Sequence, residues 1–140
     1  SYGGDKAIFG FTGGAVTNLV SNTGVVSSDN ATTGVTDRPF LAAASYGGDK
    51  AIFGFGGVTN KTNLVSNTGV VASDNSGVGT VRESLAAAGY GGDKAIFGFG
   101  DNGSVPVSII NLVSNLGIVA TDTAVVGTGR TQLGASSYNL

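Results

Sequence analysis

The side chains of this chain that could do acid–base or ion-binding chemistry are few: nine Asp and Glu, seven Lys and Arg, and neither His nor Cys. Without His or Cys there is no Ser-His or Cys-His couple and no common zinc ligand set. Carboxylate-only chemistry stays open, since a pair of acids can cleave a glycosidic bond. The pairs Asp29-Asn30, Asp74-Asn75 and Asp101-Asn102 offer oxygen ligands of the kind Ca²⁺ takes, and equally make ordinary turns. These six are the candidates for a ligand-binding face. No residue is assigned as catalytic, cofactor-binding or metal-binding, and no cofactor is expected.

Twelve of the charged residues fall at positions that recur three times: Asp5, Asp49 and Asp93; Lys6, Lys50 and Lys94; Asp29, Asp74 and Asp122; Arg38, Arg82 and Arg130. A charge repeated in every unit is most simply structural. Arg38, Arg82 and Arg130 are therefore expected to bond a repeated Asp or backbone carbonyls at the edge of a unit. Gly98-Phe-Gly-Asp-Asn-Gly103 matches G-x-G-x-x-G, but dinucleotide binding needs a following helix, and Ser104–Val107 reads as loop. Three N-x-[ST] triplets, at Asn30, Asn60 and Asn102, lie in loops and read as turn residues.

The elements that position these residues are tandem copies. Tyr-Gly-Gly-Asp-Lys-Ala-Ile-Phe-Gly-Phe occurs at Tyr2–Phe11, Tyr46–Phe55 and Tyr90–Phe99, and each copy is followed by Asn-Leu-Val-Ser-Asn-Thr/Leu-Gly. A period of 44 to 48 residues signals a solenoid, propeller or array. The units are 1–44, 45–88 and 89–136, forming one domain over 1–140. No stretch has helical periodicity. Lys6–Phe11 reads as an apolar strand buried on both faces. Asn18–Ser21 and Gly24–Ser27 read as two strands joined by a tight Asn-Thr-Gly turn. Leu41–Ser45, Leu85–Gly89 and Leu133–Ser137 read as small-residue strands that feed the next Tyr-Gly-Gly turn. Four short antiparallel strands in about 45 residues make one propeller blade, with the small-residue strand innermost.

The order Arg82-x-x-Leu-Ala-Ala-Ala-x-Tyr-Gly-Gly-Asp-Lys-Ala-Ile-Phe-Gly-Phe-Gly100 resembles the kelch-type β-propeller repeat over the whole chain. It departs from that pattern in lacking the late Trp, and in keeping Gly-Gly after the aromatic strand only at Gly56-Gly57. Near-identical units look like those of uncharacterised phage or bacterial propellers, or an engineered derivative. The resemblance implies an all-β propeller and leaves function open.

The repeats start at strand two and end, at Arg130–Tyr138, on an innermost strand. One blade is thus expected to be built from both chain ends, with 130–138 as the closing inner strand. Three blades do not close a ring, whose usual range is about 4–8. Head-to-tail association of two chains gives six, so a homodimer is favoured over a nine-bladed trimer.

Glycine is abundant at 25 residues, hydrophobic residues make up 41%, and the net charge is −2. Collagen and disorder are excluded. So is nucleic-acid binding, which needs clustered bases. No signal peptide or membrane span is expected; the compartment is unknown. Among the units, Thr12–Thr17, Gly56–Thr62 and Gly100–Ile110 vary, as do the connections Asn30–Asp37, Asn75–Val81 and Thr123–Gly129. In an up-and-down blade these emerge on one face, and the invariant turns on the other. The expectation is a non-catalytic scaffold, binding protein or glycan on its variable face. The alternatives are a lectin-like propeller or a carboxylate-dependent glycoside hydrolase.

Overall fold

A computed structural model describes residues 1–138. The chain is all-β, with no helix among the described residues, and forms three small antiparallel sheets. The first holds β1 (Ala7–Gly10), β2 (Val16–Val20) and β3 (Asn30–Ala31) in that order. The second holds β4 (Ala42–Tyr46), β5 (Lys50–Gly54) and β6 (Thr62–Val65). The third holds β7 (Ala86–Tyr90), β8 (Lys94–Gly98), β9 (Ile109–Val113) and β10 (Thr123–Ala124). Register repeats from unit to unit: Ile8 faces Leu19, Ile52 faces Leu64, and Ile96 faces Leu112.

Each sheet packs on the next through side chains from both. Tyr2 and Phe11 of the first unit join Ala51, Phe53 and Val65 of the second. Ala42, Tyr46 and Ile52 of the second sheet, with Phe55 just after it, join Ala95, Phe97 and Val113 of the third sheet. The Phe11 ring meets Phe53 edge-on at 4.6 Å, and Phe55 meets Phe97 in the same way at 5.2 Å, the geometry aromatic pairs favour. Small residues at the crossing points let the aromatics in. A Cβ on Gly54 would lie 2.6 Å from the Phe97 ring.

Three expectations need correction. The strand expected at Gly24–Ser27 is a single bridge, Val20 to Val26, repeated as Val65 to Val71 and Val113 to Val119. The Asn18 amide donates to the Ser27 carbonyl, and the Ser27 hydroxyl accepts the Leu19 N–H. Backbone pairing amounts to two bonds, from the Ser21 N–H to the Val25 carbonyl and from the Ser27 N–H to the Leu19 carbonyl, with these side-chain bonds beside them, before a short segment, β3, pairs with the start of β2. Burial on both faces holds for β5 but not for β1, which is half open to solvent. Leu133–Ser137, expected as a closing inner strand, is not a strand here. In the other units the inner strand pairs with the strand after it, β4 with β5 and β7 with β8. The segment has no such partner among the described residues.

The connections separate into two groups. The Tyr-Gly-Gly-Asp turns meet the Ser-Asn-Thr-Gly turns: Asn22 donates to Asp5, and Asn67 to Asp49. Elsewhere the variable segments meet one another. Arg82 bridges to Thr59, Glu83 bridges to Asp101, and the Asn60 amide donates to the Gly79 carbonyl.

Candidate functional site

The densest polar cluster lies at the junctions between units, built around Arg38 and Arg82, which are 1% and 0% exposed. Phe55 ends β5 with φ at 61°, and Phe11 and Phe99 repeat this left-handed backbone at 70° and 60°. That conformation is uncommon for a bulky residue. It turns the Phe55 carbonyl toward Arg38, whose Nε donates to it at 2.8 Å. Arg38 Nη2 donates to Asn63 Oδ1 at 2.6 Å, and Nη1 to Asp74 Oδ1 at 3.1 Å. The planar fork of arginine thus spans a carbonyl, an amide and a carboxylate at once. Behind it lies the Phe11 ring, 5.7 Å from the guanidinium carbon.

Asp74 gathers more donors: the Thr36 N–H and hydroxyl, Asn63 Nδ2 at 3.0 Å and Lys61 Nζ at 2.9 Å. Burial pushes its carboxyl up, but the hydrogen bonds from Thr36, Asn63 and Lys61 prevail and hold it well below the ordinary carboxylate range. Burial also lowers Arg38, against the pull of the Asp74 charge.

The second junction uses the same residue types with a shifted set of arginine contacts. Arg82 donates from Nη1 to the Phe99 and Ile109 carbonyls, at 3.2 and 3.0 Å, and from Nη2 to Asn111 Oδ1. Phe55 stacks under it at 4.5 Å. Thr80 donates its N–H and hydroxyl to Asp122, and Asn111 Nδ2 donates to Asp122 Oδ1 at 2.9 Å. Asp122 is reached through Asn111 rather than directly, and Arg82 Nε has no partner among the described residues. Burial takes Arg82 down to about 10, against the attraction of Asp122.

The six ligand-face candidates do not form one equivalent set. Asp74 belongs to the Arg38 cluster. Asp29 and Asn30 are exposed, with Asp29 accepting from Asn18. Asn75 is exposed and pairs by its backbone with Thr62. Asp101 and Asn102 lie in a different loop, between β8 and β9. Asp101 caps the Gly103 N–H at 2.6 Å, and Asn102 caps Ser104 and Val105. Arg130 is exposed, stacked on Phe99 at 4.5 Å. Residues that sequence reasoning passed over are Asn63 and Asn111, with Thr36 and Thr80. The signal was present: Asn recurs at 18, 63 and 111, and Thr stands two residues before each repeated Arg.

Among the described residues no three His, Cys, Asp or Glu side chains come together as a metal site. No helix of the described residues is long and apolar enough to cross a membrane. No family model matches the chain, and no curated protein matches it. Solved structures do. One is a novel fungal alcohol oxidase of the AA5 family in complex with copper, at 14% identity and a TM-score of 0.59. The match covers 79% of this chain and 25% of that one, so the chain spans about a quarter of its length. The likeness is one of fold.

Proposed function

We propose that the chain is a non-catalytic, self-assembling scaffold of kelch-like β-propeller blades, whose variable loops form the face open to a protein or glycan partner. One observation carries this reading. The contacts joining the first unit to the second recur between the second and third, and side chains for one further junction stand unmet at the two open faces. Phe9 is 63% exposed, whereas its counterparts Phe53 and Phe97 are 3% and 0% exposed. Stacked sheets that leave such faces open are association-prone. A heterologous contact that closes after two copies gives six blades.

The copper in the alcohol oxidase finds no counterpart here. Copper sites are built on imidazole and sulfur ligands, and this chain has no His, Cys or Met. Asp49 and Asp93, in the turns after β4 and β7, are engaged by Lys50 and Lys94, and the inner strands Leu41–Ser45 and Leu85–Gly89 carry no acid, which supports the scaffold over the hydrolase. Light scattering tests the reading. The expected mass is twice 13.7 kDa; a monodisperse monomer overturns it, and a trimer replaces six blades with nine.

A further inference from the structure

We propose that the Phe11 carbonyl, Asn18 and Asp29 form a guanidinium-binding site whose ligand is Arg130 of a second copy of this chain. The inference rests on the self-assembly reading and names the group that locks it.

The site exists in two occupied forms and one open one. In both occupied forms the arginine of one unit donates to a left-handed Phe carbonyl and to an Asn Oδ1 whose amide holds an Asp; Arg38 also donates to that Asp directly, whereas Arg82 donates to the Ile109 carbonyl instead. The open form has the same parts already set. Phe11 has the same left-handed backbone. Asn18 Nδ2 donates to Asp29 Oδ1 at 2.8 Å and to the Ser27 carbonyl at 3.2 Å. Asn63 does the same with Asp74 and Ala72, and Asn111 with Asp122 and Ala120. That arrangement leaves the Asn18 Oδ1 atom as an acceptor, the atom that takes the arginine Nη2 in both occupied forms.

The ligand is equally prepared. Arg130 stacks on Phe99 at 4.5 Å, the same distance at which Arg82 stacks on Phe55. Its guanidinium makes no hydrogen bond among the described residues, whereas Arg38 and Arg82 make three each. Thr128 precedes it as Thr36 and Thr80 precede theirs, placed to donate to Asp29.

The surroundings match as well. Tyr2 and Leu19 pack against Gly69, and Tyr46 and Leu64 against Gly117, within about 3 Å of where a Cβ would stand. Gly24, the third such glycine, has nothing within 4 Å, while Tyr90 is 39% exposed against 4% for Tyr2 and Tyr46. Gly98, with Ile110 but no aromatic ring near it, would take Phe9 of the second copy as Gly54 takes Phe97. The Gly3 and Gly47 N–H groups donate to the Asp49 and Asp93 carbonyls of the next unit; Gly91 and Asp5 are the corresponding donor and acceptor. Apolar, hydrogen-bonding and charged groups therefore agree on one occupant and one register. Arginine is required because three acceptors of different direction need a fork of donors, which the single ammonium of lysine does not offer.

Sedimentation velocity across a concentration series tests this, on wild type, Arg130→Ala, Arg130→Lys and the pair Asn18→Ala/Asp29→Ala. Arg130 is exposed in one copy, so Arg130→Ala keeps the wild-type circular dichroism. Its dissociation constant is expected to rise at least about thirty-fold, with Arg130→Lys nearly as weak. Mixing Arg130→Ala with Asn18→Ala/Asp29→Ala restores one intact junction per pair, so the mixture associates more tightly than either variant alone. Assembly of Arg130→Ala or Arg130→Lys at wild-type strength, or no gain on mixing, overturns the arginine site while leaving self-assembly standing. A wild type that stays monomeric overturns both.

Discussion

Replacing Arg82 by Ala should cost about 2–5 kcal/mol of folding stability, a range set by opposed terms. The buried guanidinium donates three hydrogen bonds, to the Phe99 and Ile109 carbonyls and Asn111. Hydrogen bonds to charged groups contribute about 1.5–3 kcal/mol each, and the stacked Phe55 adds about 0.5–2 kcal/mol. Against this stands the cost of burying the charge. The fall from arginine's ordinary value to about 10 corresponds to about 3 kcal/mol. The weak end of the sum is therefore near 2 kcal/mol; the strong end is capped near 5 kcal/mol, the cost of breaking buried charged pairs. For a chain this size each kcal/mol lowers the melting temperature by about 3 °C, so the drop is roughly 6–15 °C. Arg82→Lys should fall between, since one ammonium satisfies fewer acceptors. Urea and thermal unfolding followed by circular dichroism read the effect. A loss below about 1 kcal/mol with native secondary structure would refute the view that the junction is clamped by its arginine.

Gly54→Ala should destabilise by about 1–3 kcal/mol through overpacking, because its Cβ would meet Phe97 at 2.6 Å. Gly98→Ala at the equivalent position meets only Ile110, at 3.4 Å, and should be neutral or gain up to about 1 kcal/mol in urea unfolding of dilute protein; equal losses would mean the clash is not what sets the cost. Asp74 has a folded-state pKa below its unfolded value of about 3.9. The unfolded state therefore takes up its proton first, and the stability Asp74 contributes, present above about pH 4, is lost as acid takes the pH down through the folded value. Asp74→Asn should flatten that acid limb in pH-dependent melting, and an unchanged limb would show that other carboxylates govern it.

The strands were legible where apolar periodicity and repetition agree. Lys50–Gly54 and Ala42–Tyr46 fall within a residue or two of the segments expected from the Ile-Phe and Ala-Ala-Ala runs. Gly24–Ser27 misled because Val-Val has strand propensity, whereas the segment pairs through two backbone bonds while the Asn18 amide and the Ser27 hydroxyl make the other contacts, a division that propensity does not foresee. Leu133–Ser137 shows the same limit from the other side: a strand-like sequence still needs a partner edge. The arginines were legible as repeated charges. Their acceptors were not, because Asn beside a strand and Thr in a connection read as turn formers, and because a left-handed Phe is not foreseen from a Gly-Phe dipeptide.

The clamps also explain why loop length can vary without disturbing the sheets. The loops after β5 and β8 are pinned at their base by the backbone of the repeated arginine near the end of their own unit. The Gly56 N–H donates to the Arg82 carbonyl at 2.8 Å, and Gly100 does the same with Arg130. Both glycines have positive φ, and a Cβ would lie within 2.8 Å of Leu41 at Gly56 and of Leu85 at Gly100; no other residue fits there. Beyond that anchor Gly100–Ile110 runs four residues longer than Gly56–Thr62, and its extra turn closes on itself through Asp101 and Asn102. The junction carboxylates Asp74 and Asp122 are committed to their clamps. Under the proposed scaffold function, a partner would therefore read the loops beyond the anchors, where the sequence can diversify while the arginines keep each unit in register with the next.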